Sequence, residues 1–291
     1  MTPVTPASSD PEPSHGRRTM TWRPHTSKSF AASWALRSCY GRLRGSTRRG
    51  PRVFGVGAAK TGTHSLAQMY SDRVRAAHEL DTEPLIFLHL DRVETGAHTR
   101  LRRFLARRDA FRDLALDVSH LYIYLLDDLQ ALFPDSRYIM TIRPPMDWLR
   151  SFIDDSLRRE ASRAFELFRR YRFATDQMHP AAEAALRDRG LFTLRGYLGY
   201  WCTAIRTVVD TVPDDRLLIV RTDELAARSS EIARFCGFDA RPVSAARSKA
   251  FVNPHRSDVL SEISAEYLDA VVEETCGPLI ARYFPPEPRV V

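Results

Sequence analysis

The chain has 291 residues, 44% of them hydrophobic, so it can bury one large core without needing a second domain. Its formal charge of +7 is concentrated in residues 1–52, which hold ten basic and two acidic residues, and the remaining 33 basic and 34 acidic residues argue against a folded surface for nucleic acid. Four scattered cysteines without a Cys-x-x-Cys pair indicate neither a zinc site nor a disulfide framework, and no apolar run is long enough for a membrane span, so we expect a cytoplasmic protein.

Two segments precede the first predicted strand. Residues 1–25 have the proline-rich, weakly apolar composition of a disordered leader. Residues 26–51 form a basic segment and a linker, whose apolar side chains share one helical face with Arg37 and Arg44, so the pattern is only weakly amphipathic. We favour a helix packed on the domain; the alternative is a basic helix that makes weak contact with an anionic membrane surface.

Residues 53–66 read Val-Phe-Gly-Val-Gly-Ala-Ala-Lys-Thr-Gly-Thr-His-Ser-Leu, which predicts a strand, a tight glycine-rich loop and a helix. Such a turn points successive backbone N–H groups and the positive end of a helix dipole at one spot, which suits a phosphate. The order is not that of a Walker A loop, because Gly62 is followed by Thr63 and His64, and Lys60 precedes the glycine.

The next stretch is predicted to alternate strands and helices. The apolar run over 84–89 predicts a second buried strand, residues 99–112 a helix, and residues 114–120 a further strand. In open α/β sheets, ligands collect at the carboxyl ends of the strands, so polar residues at the end of this strand are candidates for chemistry. These residues are Asp117, Ser119 and His120.

A second motif follows a helix predicted over 121–133. It reads Phe133-Pro-Asp-x-x-Tyr-Ile-x-x-x-Arg143-Pro-Pro-x-Asp147-Trp-x-x-Ser151, and it predicts a strand over 137–143 and a helix over 146–156. The arginine at the strand end offers a planar bidentate fork to a phosphate, and a hydroxyl on the second turn of the helix can complete the site.

The two motifs together resemble those of sulfotransferases that use 3′-phosphoadenosine 5′-phosphosulfate as the sulfuryl donor. Lys-Thr-Gly-Thr-x-Ser-Leu is similar to the family's 5′-phosphosulfate loop. The segment that runs from Arg143 to Ser151 is similar to the family's 3′-phosphate motif. The resemblance spans about residues 52–285 and implies a three-layer α/β fold with a central, mainly parallel sheet. It is closer to bacterial and carbohydrate-type members than to the cytosolic hormone type, whose adenine-stacking tryptophan is replaced here by Ser65.

The resemblance also implies roles for individual residues and a donor that needs no metal. Lys60 would contact the bridging oxygen of the phosphosulfate, and Arg143 and Ser151 would clamp the 3′-phosphate. The residues that would cradle the 5′-phosphate are Thr61, Gly62, Thr63, His64 and Ser65. Loose substitutes for the family's late Arg-Lys-Gly loop lie within residues 247–255, which leaves the adenine contacts open.

The catalytic base is left between two residues. Glu79 lies 19 residues after Lys60, which resembles the carboxylate base of carbohydrate-type members, and His120 lies 60 after it, which resembles the histidine base of the cytosolic type. We lean to Glu79, with His120 orienting the acceptor, and we treat Asp117 and His64 as weaker options.

Helices and one strand complete the chain. Residues 154–196 are highly charged and predict either a helical lid over the acceptor site or a solvated helix pair. An amphipathic helix over 197–212, a buried strand within 213–225 and a helix over 257–284 follow.

The expected function is transfer of a sulfuryl group to a hydroxyl of a small-molecule or glycolipid acceptor, by in-line attack. A small-molecule kinase is the alternative enzyme, disfavoured because the loop lacks Walker A order and no clear magnesium carboxylate follows. A non-catalytic nucleotide-binding scaffold is the other alternative, and the joint presence of Lys60, Arg143 and Ser151 argues against it.

Overall fold

The computed structural model describes residues 52–158, 160–173, 178–241 and 257–285. In this part of the chain a five-stranded, entirely parallel sheet has the strand order β2-β3-β1-β4-β5. The strands are β1 (Val53–Val56), β2 (Ala76–His78), β3 (Leu116–Val118), β4 (Arg137–Ile142) and β5 (Leu217–Arg221). The central position of β1 places the loop that follows it at the middle of the sheet's carboxyl edge.

The helices pack on both faces of the sheet. They are α1 (Thr63–Tyr70), α2 (Thr82–Thr95), α3 (Thr99–Arg112), α4 (Leu126–Leu132), α5 (Pro145–Arg158), α6 (Arg163–Arg172), α7 (Ala184–Arg187), α8 (Leu194–Thr211), α9 (Ser229–Cys236) and α10 (Ala265–Tyr283). Short 3₁₀ turns cover His120–Tyr124, Ala181–Glu183, Asp214–Arg216, Thr222–Glu224 and Val259–Glu262.

Strand β4 shows how the sheet divides the core. Tyr138, Met140 and Ile142 pack into the larger hydrophobic cluster with α2 to α5 and α8, whereas Ile139 packs into a smaller cluster with α1 and α9. Side chains alternate between the faces of a strand, and every residue of β4 after Arg137 is buried, so helices cover both of its faces. The fold is therefore the three-layer α/β arrangement that the sequence predicted.

The strands predicted at residue 53, over 114–120, over 137–143 and within 213–225 are confirmed as β1, β3, β4 and β5, although β3 is only the three residues Leu116–Val118. The strand predicted over 84–89 is wrong. That run lies inside α2, where Leu85, Ile86, Leu88 and His89 are buried with helical spacing. A short apolar run fits a buried strand and a buried helix equally well. Pro84, which needs no N–H partner in a first helical turn, was the available signal for the helix. The second strand is the three-residue β2.

The helix predicted over 121–133 also needs correction. The structure divides it into the 3₁₀ turn His120–Tyr124 and α4, with Leu125 between them at φ −117°. The helices over 99–112 and 197–212 are confirmed within three residues at each end. The predicted leader and basic segment, residues 1–51, and most of the late loop at 247–255 lie outside the described residues.

Candidate active site

The loop between β1 and α1 has a backbone that its glycines allow. Gly57 lies at φ 133° and Gly62 at φ 94°, and Lys60 adopts the left-handed region at φ 72°. A Cβ on Gly57 would lie 2.5 Å from the carbonyl oxygen of Thr141. Gly62 caps α1 without a side-chain hydrogen bond, so no cap side chain occupies the N–H groups of the first turn. This helix start can accept an anion.

Two buried tryptophans hold the two phosphate motifs. Trp148 Nε1 donates to the carbonyl oxygen of Ala59 at 2.7 Å, and Trp201 Nε1 donates to that of Arg143 at 3.0 Å. The Ala59 N–H donates to the hydroxyl of Tyr200 at 3.3 Å. These bonds join the loop and the end of β4 to α5 and α8, so the two motifs are fixed relative to each other.

A cavity of about 1650 Å³ opens at the carboxyl edge of the sheet. Most of the residues proposed from the sequence line it, although they come from distant parts of the chain. They are Lys60, Gly62, Thr63, His64, Ser65, Glu79, His120, Arg143 and Ser151. The structure therefore brings both phosphate motifs and both candidate bases to one space.

Lys60 is positioned by a helix that the sequence did not connect with it. Its Nζ lies 3.2 Å from Oδ1 of Asp155, which also accepts from Arg158 Nη2 at 3.0 Å. Asp155 lies one turn after Ser151 on α5, so this helix contributes to the surroundings of Lys60 and to the proposed 3′-phosphate site. The carboxylate holds the ammonium at the wall of the cavity.

Glu79 and His120 are neighbours because their strands are neighbours. His78 of β2 pairs with Val118 of β3, so the residues just beyond these strands emerge side by side. Glu79 Oε1 lies 2.5 Å from Nδ1 of His120. The backbone of Glu79, at φ 53°, is held by its N–H bond to the carbonyl oxygen of Val118 at 2.8 Å. The two candidate bases thus form one pair, in which the carboxylate binds Nδ1.

The electrostatics of this pair keep Glu79 ionised. Burial would raise the pKa of Glu79, but the charge of His120 and its hydrogen bond outweigh burial and lower the pKa to about 2. His120 Nε2 is buried without a hydrogen-bond partner in the described part of the chain. Burial, the largest effect, lowers the pKa of the adjacent His78 to about 4, so that imidazole is neutral at pH 7. His78 Nε2 lies 3.0 Å from the hydroxyl of Thr63, which links the pair's strand to the loop.

Three residues proposed from the sequence do not line the cavity. The Thr61 hydroxyl donates to the carbonyl oxygen of Ala58 at 2.7 Å, and the Thr61 N–H points to the same oxygen at 3.3 Å. Asp117 lies within β3 rather than at its end, and it binds the guanidinium of Arg108 in a buried ion pair. Asp117 does not line the cavity, so it is unsuited as a base. Ser119 caps the following 3₁₀ turn by accepting from the Leu121 N–H at 3.2 Å.

Comparison with known sequences decides the family. The sequence model for the sulfotransferase domain matches residues 52–239, which is more than half of the chain. The chain belongs to the sulfotransferase family. No curated protein matches it in sequence. The resemblance inferred from the two motifs is confirmed at the level of the family.

Solved structures similar to this sulfotransferase are distant in sequence. One is a sulfotransferase from Alicyclobacillus acidocaldarius, at 15% identity and a TM-score of 0.42 over 79% of this chain and 95% of that one. Another is the sulfotransferase domain of the olefin synthase of Synechococcus PCC 7002, at 15% identity and a TM-score of 0.40 over 84% of this chain and 93% of that one. A third is the sulfotransferase domain from the curacin biosynthetic pathway, at 12% identity and a TM-score of 0.42 over 80% of this chain and 98% of that one.

Sequence reasoning missed several residues at the site of this sulfotransferase. Asp155, Tyr200 and Arg172 had no motif to mark them, and neither had His78. The helical spacing from Ser151 was the signal for Asp155. In the described ranges, no group of three or more His, Cys, Asp or Glu could hold a metal ion, and no helix is long and apolar enough to cross a membrane.

Proposed function

We propose that this sulfotransferase moves the sulfuryl group of 3′-phosphoadenosine 5′-phosphosulfate to a hydroxyl of a small-molecule or glycolipid acceptor. The observation that carries the proposal is the common cavity of the Lys60 loop, of Arg143 with Ser151, and of the Glu79–His120 pair. A phosphate loop alone is compatible with many activities. A second phosphate motif and a base on the same cavity fit a donor with two phosphates and an acceptor that must lose a proton.

The donor's two phosphates would lie at the two motifs. The N–H groups at the start of α1 and the hydroxyls of Thr63 and Ser65 suit the 5′-phosphate, and Arg143 with Ser151 suits the 3′-phosphate. Thr61 would act by shaping the loop, because its hydroxyl and N–H are directed at Ala58.

In the reaction, the acceptor oxygen forms a bond to sulfur while the bond from sulfur to the 5′-phosphate oxygen breaks. The electron pair of that bond stays on the phosphate, beside the ammonium of Lys60, and the acceptor's proton passes to a base. A loose transfer of this kind needs mainly positioning and charge stabilisation from the protein. Asp155 supplies the positioning for Lys60 by binding it at 3.2 Å.

For the base, the geometry supports His120, with Glu79 as its positioning residue. The carboxylate of Glu79 is engaged with Nδ1 of His120, whereas Nε2 of His120 has no hydrogen-bond partner among the described residues, and His120 lines the cavity. Imidazole is the side chain best suited to accept a proton near neutral pH. By accepting from Nδ1–H, Glu79 would fix the tautomer in which Nε2 has the lone pair. This assignment differs from the order of preference that the sequence suggested.

The segment over 154–196 would cover the acceptor end of the cavity. In support, Phe165, Arg169 and Arg172 of α6 line the cavity. The aromatic and cationic side chains of α6 give this part of the cavity a different chemistry from the phosphate motifs. We therefore place the acceptor between α6 and the Glu79–His120 pair.

A mass-spectrometric screen of hydroxyl compounds tests the proposed function. The purified protein is incubated with the sulfate donor or with ATP, each in excess EDTA and in Mg²⁺, and products are examined for a gain of one SO₃ or one PO₃H. We expect SO₃ transfer that persists in EDTA and no transfer from ATP. Mg²⁺-dependent transfer from ATP would identify a kinase, and binding of the donor without transfer to any acceptor would favour a scaffold.

A further inference from the structure

Helix α6 presents two arginines to the acceptor end of the cavity. Arg169 and Arg172 are one turn apart on α6, and both line the cavity. Burial and repulsion by Arg172 lower the pKa of Arg169, which indicates that the two positive charges lie close together. Among the described residues, neither arginine belongs to an ion pair. Two neighbouring cations at a cavity wall make an anion-binding surface.

Among the described residues, Arg172 is surrounded by aromatic rings and forms no ion pair, and the carboxylate of Glu79 acts on it only through its charge. Its guanidinium carbon lies 4.4 Å from the ring centroid of Phe168, 5.0 Å from that of Phe173 and 5.2 Å from that of Tyr200. Its Nε and Nη1 are buried and have no hydrogen-bond partner in the described ranges. Buried arginines are normally paired with an anion, because an uncompensated charge is costly to remove from water. The rings orient the guanidinium and leave its charge for a ligand.

Arg172 is also close to the reacting groups. Burial raises the pKa of Glu79, and the charge of His120 and, more weakly, that of Arg172 lower it. Arg172 contacts the ring of Tyr200, whose hydroxyl accepts from the N–H of Ala59, the residue before Lys60. An anion on Arg172 would therefore lie near the site where the acceptor hydroxyl meets its base.

We propose that the acceptor carries, besides the hydroxyl that is sulfated, an anionic carboxylate or phosphate group that Arg172 binds together with Arg169. This inference rests on the proposed sulfotransfer and names the chemical class of its acceptor. The anionic group anchors the acceptor on α6 and directs its hydroxyl to the Glu79–His120 pair. It also compensates two like charges for which the described part of the chain provides no ion-pair partner within 4.0 Å.

The experiment compares matched pairs of acceptors that differ in the anionic group alone. The pairs are 4-hydroxyphenylacetate and its methyl ester, 3-hydroxyoctanoate and its methyl ester, and glycerol 3-phosphate and glycerol. For each compound, kcat/KM is measured from the SO₃ gain in wild-type protein, Arg172→Gln, Arg169→Gln and Arg170→Gln. Arg170 is the matched control, because it lies on the same helix, is exposed and does not line the cavity.

We expect the anionic member of at least one pair to be preferred by about tenfold or more, because hydrogen bonds to charged groups are the stronger ones. Arg172→Gln should remove most of that preference through a raised acceptor KM, Arg169→Gln should reduce it, and Arg170→Gln should retain it. A preference for the phosphate pair or for a carboxylate pair identifies the anion.

Several outcomes would overturn the inference. Equal or better sulfation of the neutral members shows that the acceptor class is wrong while the sulfotransfer stands, and sulfation of no compound counts against both. If Arg172→Gln weakens binding of 3′-phosphoadenosine 5′-phosphosulfate and leaves the acceptor preference intact, Arg172 binds the donor's sulfuryl group instead. If the variant shifts the pH profile equally for anionic and neutral acceptors, Arg172 acts only on Glu79. If Arg172→Gln does not fold, the inference is still tested by the preference of wild type for anionic over neutral acceptors and by the reduction of that preference in Arg169→Gln.

Discussion

Replacing Glu79 by Gln should separate its effect on stability from its effect on catalysis. The change keeps the size of the side chain and removes the carboxylate that binds Nδ1 of His120. The native pKa of about 2, against an ordinary 4.5, corresponds to about 3 kcal/mol of stabilisation of the ionised form while His120 is charged. The value is an upper bound, because a neutral His120 contributes only its hydrogen bond and because solvent screens Glu79, 28% of whose side chain is accessible.

The pH dependence of this stabilisation follows from the lowered pKa of Glu79. A group whose pKa is lower in the folded protein stabilises it fully above the unfolded value of about 4.5, and the contribution is lost as pH falls toward about 2. At pH 7, Glu79→Gln should therefore unfold at a lower urea concentration than wild type, with a free energy of unfolding lower by up to about 3 kcal/mol. This difference in free energy should shrink below pH 4.5. Glu94→Gln, an exposed change on α2, is the control with the same loss of charge.

The catalytic effect distinguishes a positioning role from a base. If Glu79 holds the tautomer of His120, Glu79→Gln should lower kcat less than His120→Ala, whose loss we expect to be about 10²- to 10⁴-fold. The assay is kcat against pH for both variants with an acceptor found in the screen. A Glu79→Gln loss equal to or larger than that of His120→Ala would refute the assignment and make Glu79 the base. A stability difference at pH 7 that persists unchanged at pH 3 would refute the electrostatic reasoning.

Four further changes test the remaining parts of the site. Arg143→Ala should abolish the preference for 3′,5′-adenosine bisphosphate over 5′-AMP in calorimetry, and unchanged discrimination would exclude a role at the 3′-phosphate. Lys60→Ala should lower kcat by an amount equivalent to ~3–4 kcal/mol with a smaller effect on donor binding; a raised donor KM alone would make it a simple anchor. Asp117→Asn should lower the free energy of unfolding in urea by less than the roughly 3–5 kcal/mol of an uncompensated buried charge, because Arg108 loses this carboxylate but keeps Asp81 at 3.1 Å, and the folded fraction should retain its kcat. Gly57→Ala should destabilise the fold, because its Cβ would lie 2.5 Å from the oxygen of Thr141; wild-type stability would show that the loop can relax.

The sequence predicted the parts of this protein that depend on local patterns. The apolar runs around Val53 and over 137–142, each followed by glycine or proline, gave the central strands correctly. The two segments proposed to bind phosphate could be recognised as motifs because their residues are close together in the chain. The run over 84–89 was assigned wrongly because strand and helix share that pattern, and β2 is too short, at three residues, to produce a pattern of its own.

The contacts between distant segments could not be predicted in this way. The pairing of Glu79 with His120 depends on the order of β2 and β3 in the sheet, which the sequence did not specify. Asp117 was expected at a strand end, and only the packing of α3 shows that its carboxylate belongs to Arg108. Arg172 was one of many charged residues in its segment, and only its aromatic surroundings distinguish it from the exposed Arg170.

The indole bonds described above give the protein an optical property. The chain has four tryptophans, and two of them, Trp148 and Trp201, lie within the described ranges. Their indole N–H groups donate to the carbonyl oxygens of Ala59 and Arg143, respectively. The indole of Trp148 therefore binds the residue before Lys60, and the indole of Trp201 binds Arg143 itself, and both Lys60 and Arg143 are proposed to contact the donor. Movement of either motif on binding a nucleotide would change the hydrogen bond of an indole and with it the fluorescence emission. In a protein with Trp22 and Trp34 replaced by Phe, emission should respond to 3′,5′-adenosine bisphosphate, which provides a label-free titration of the donor site.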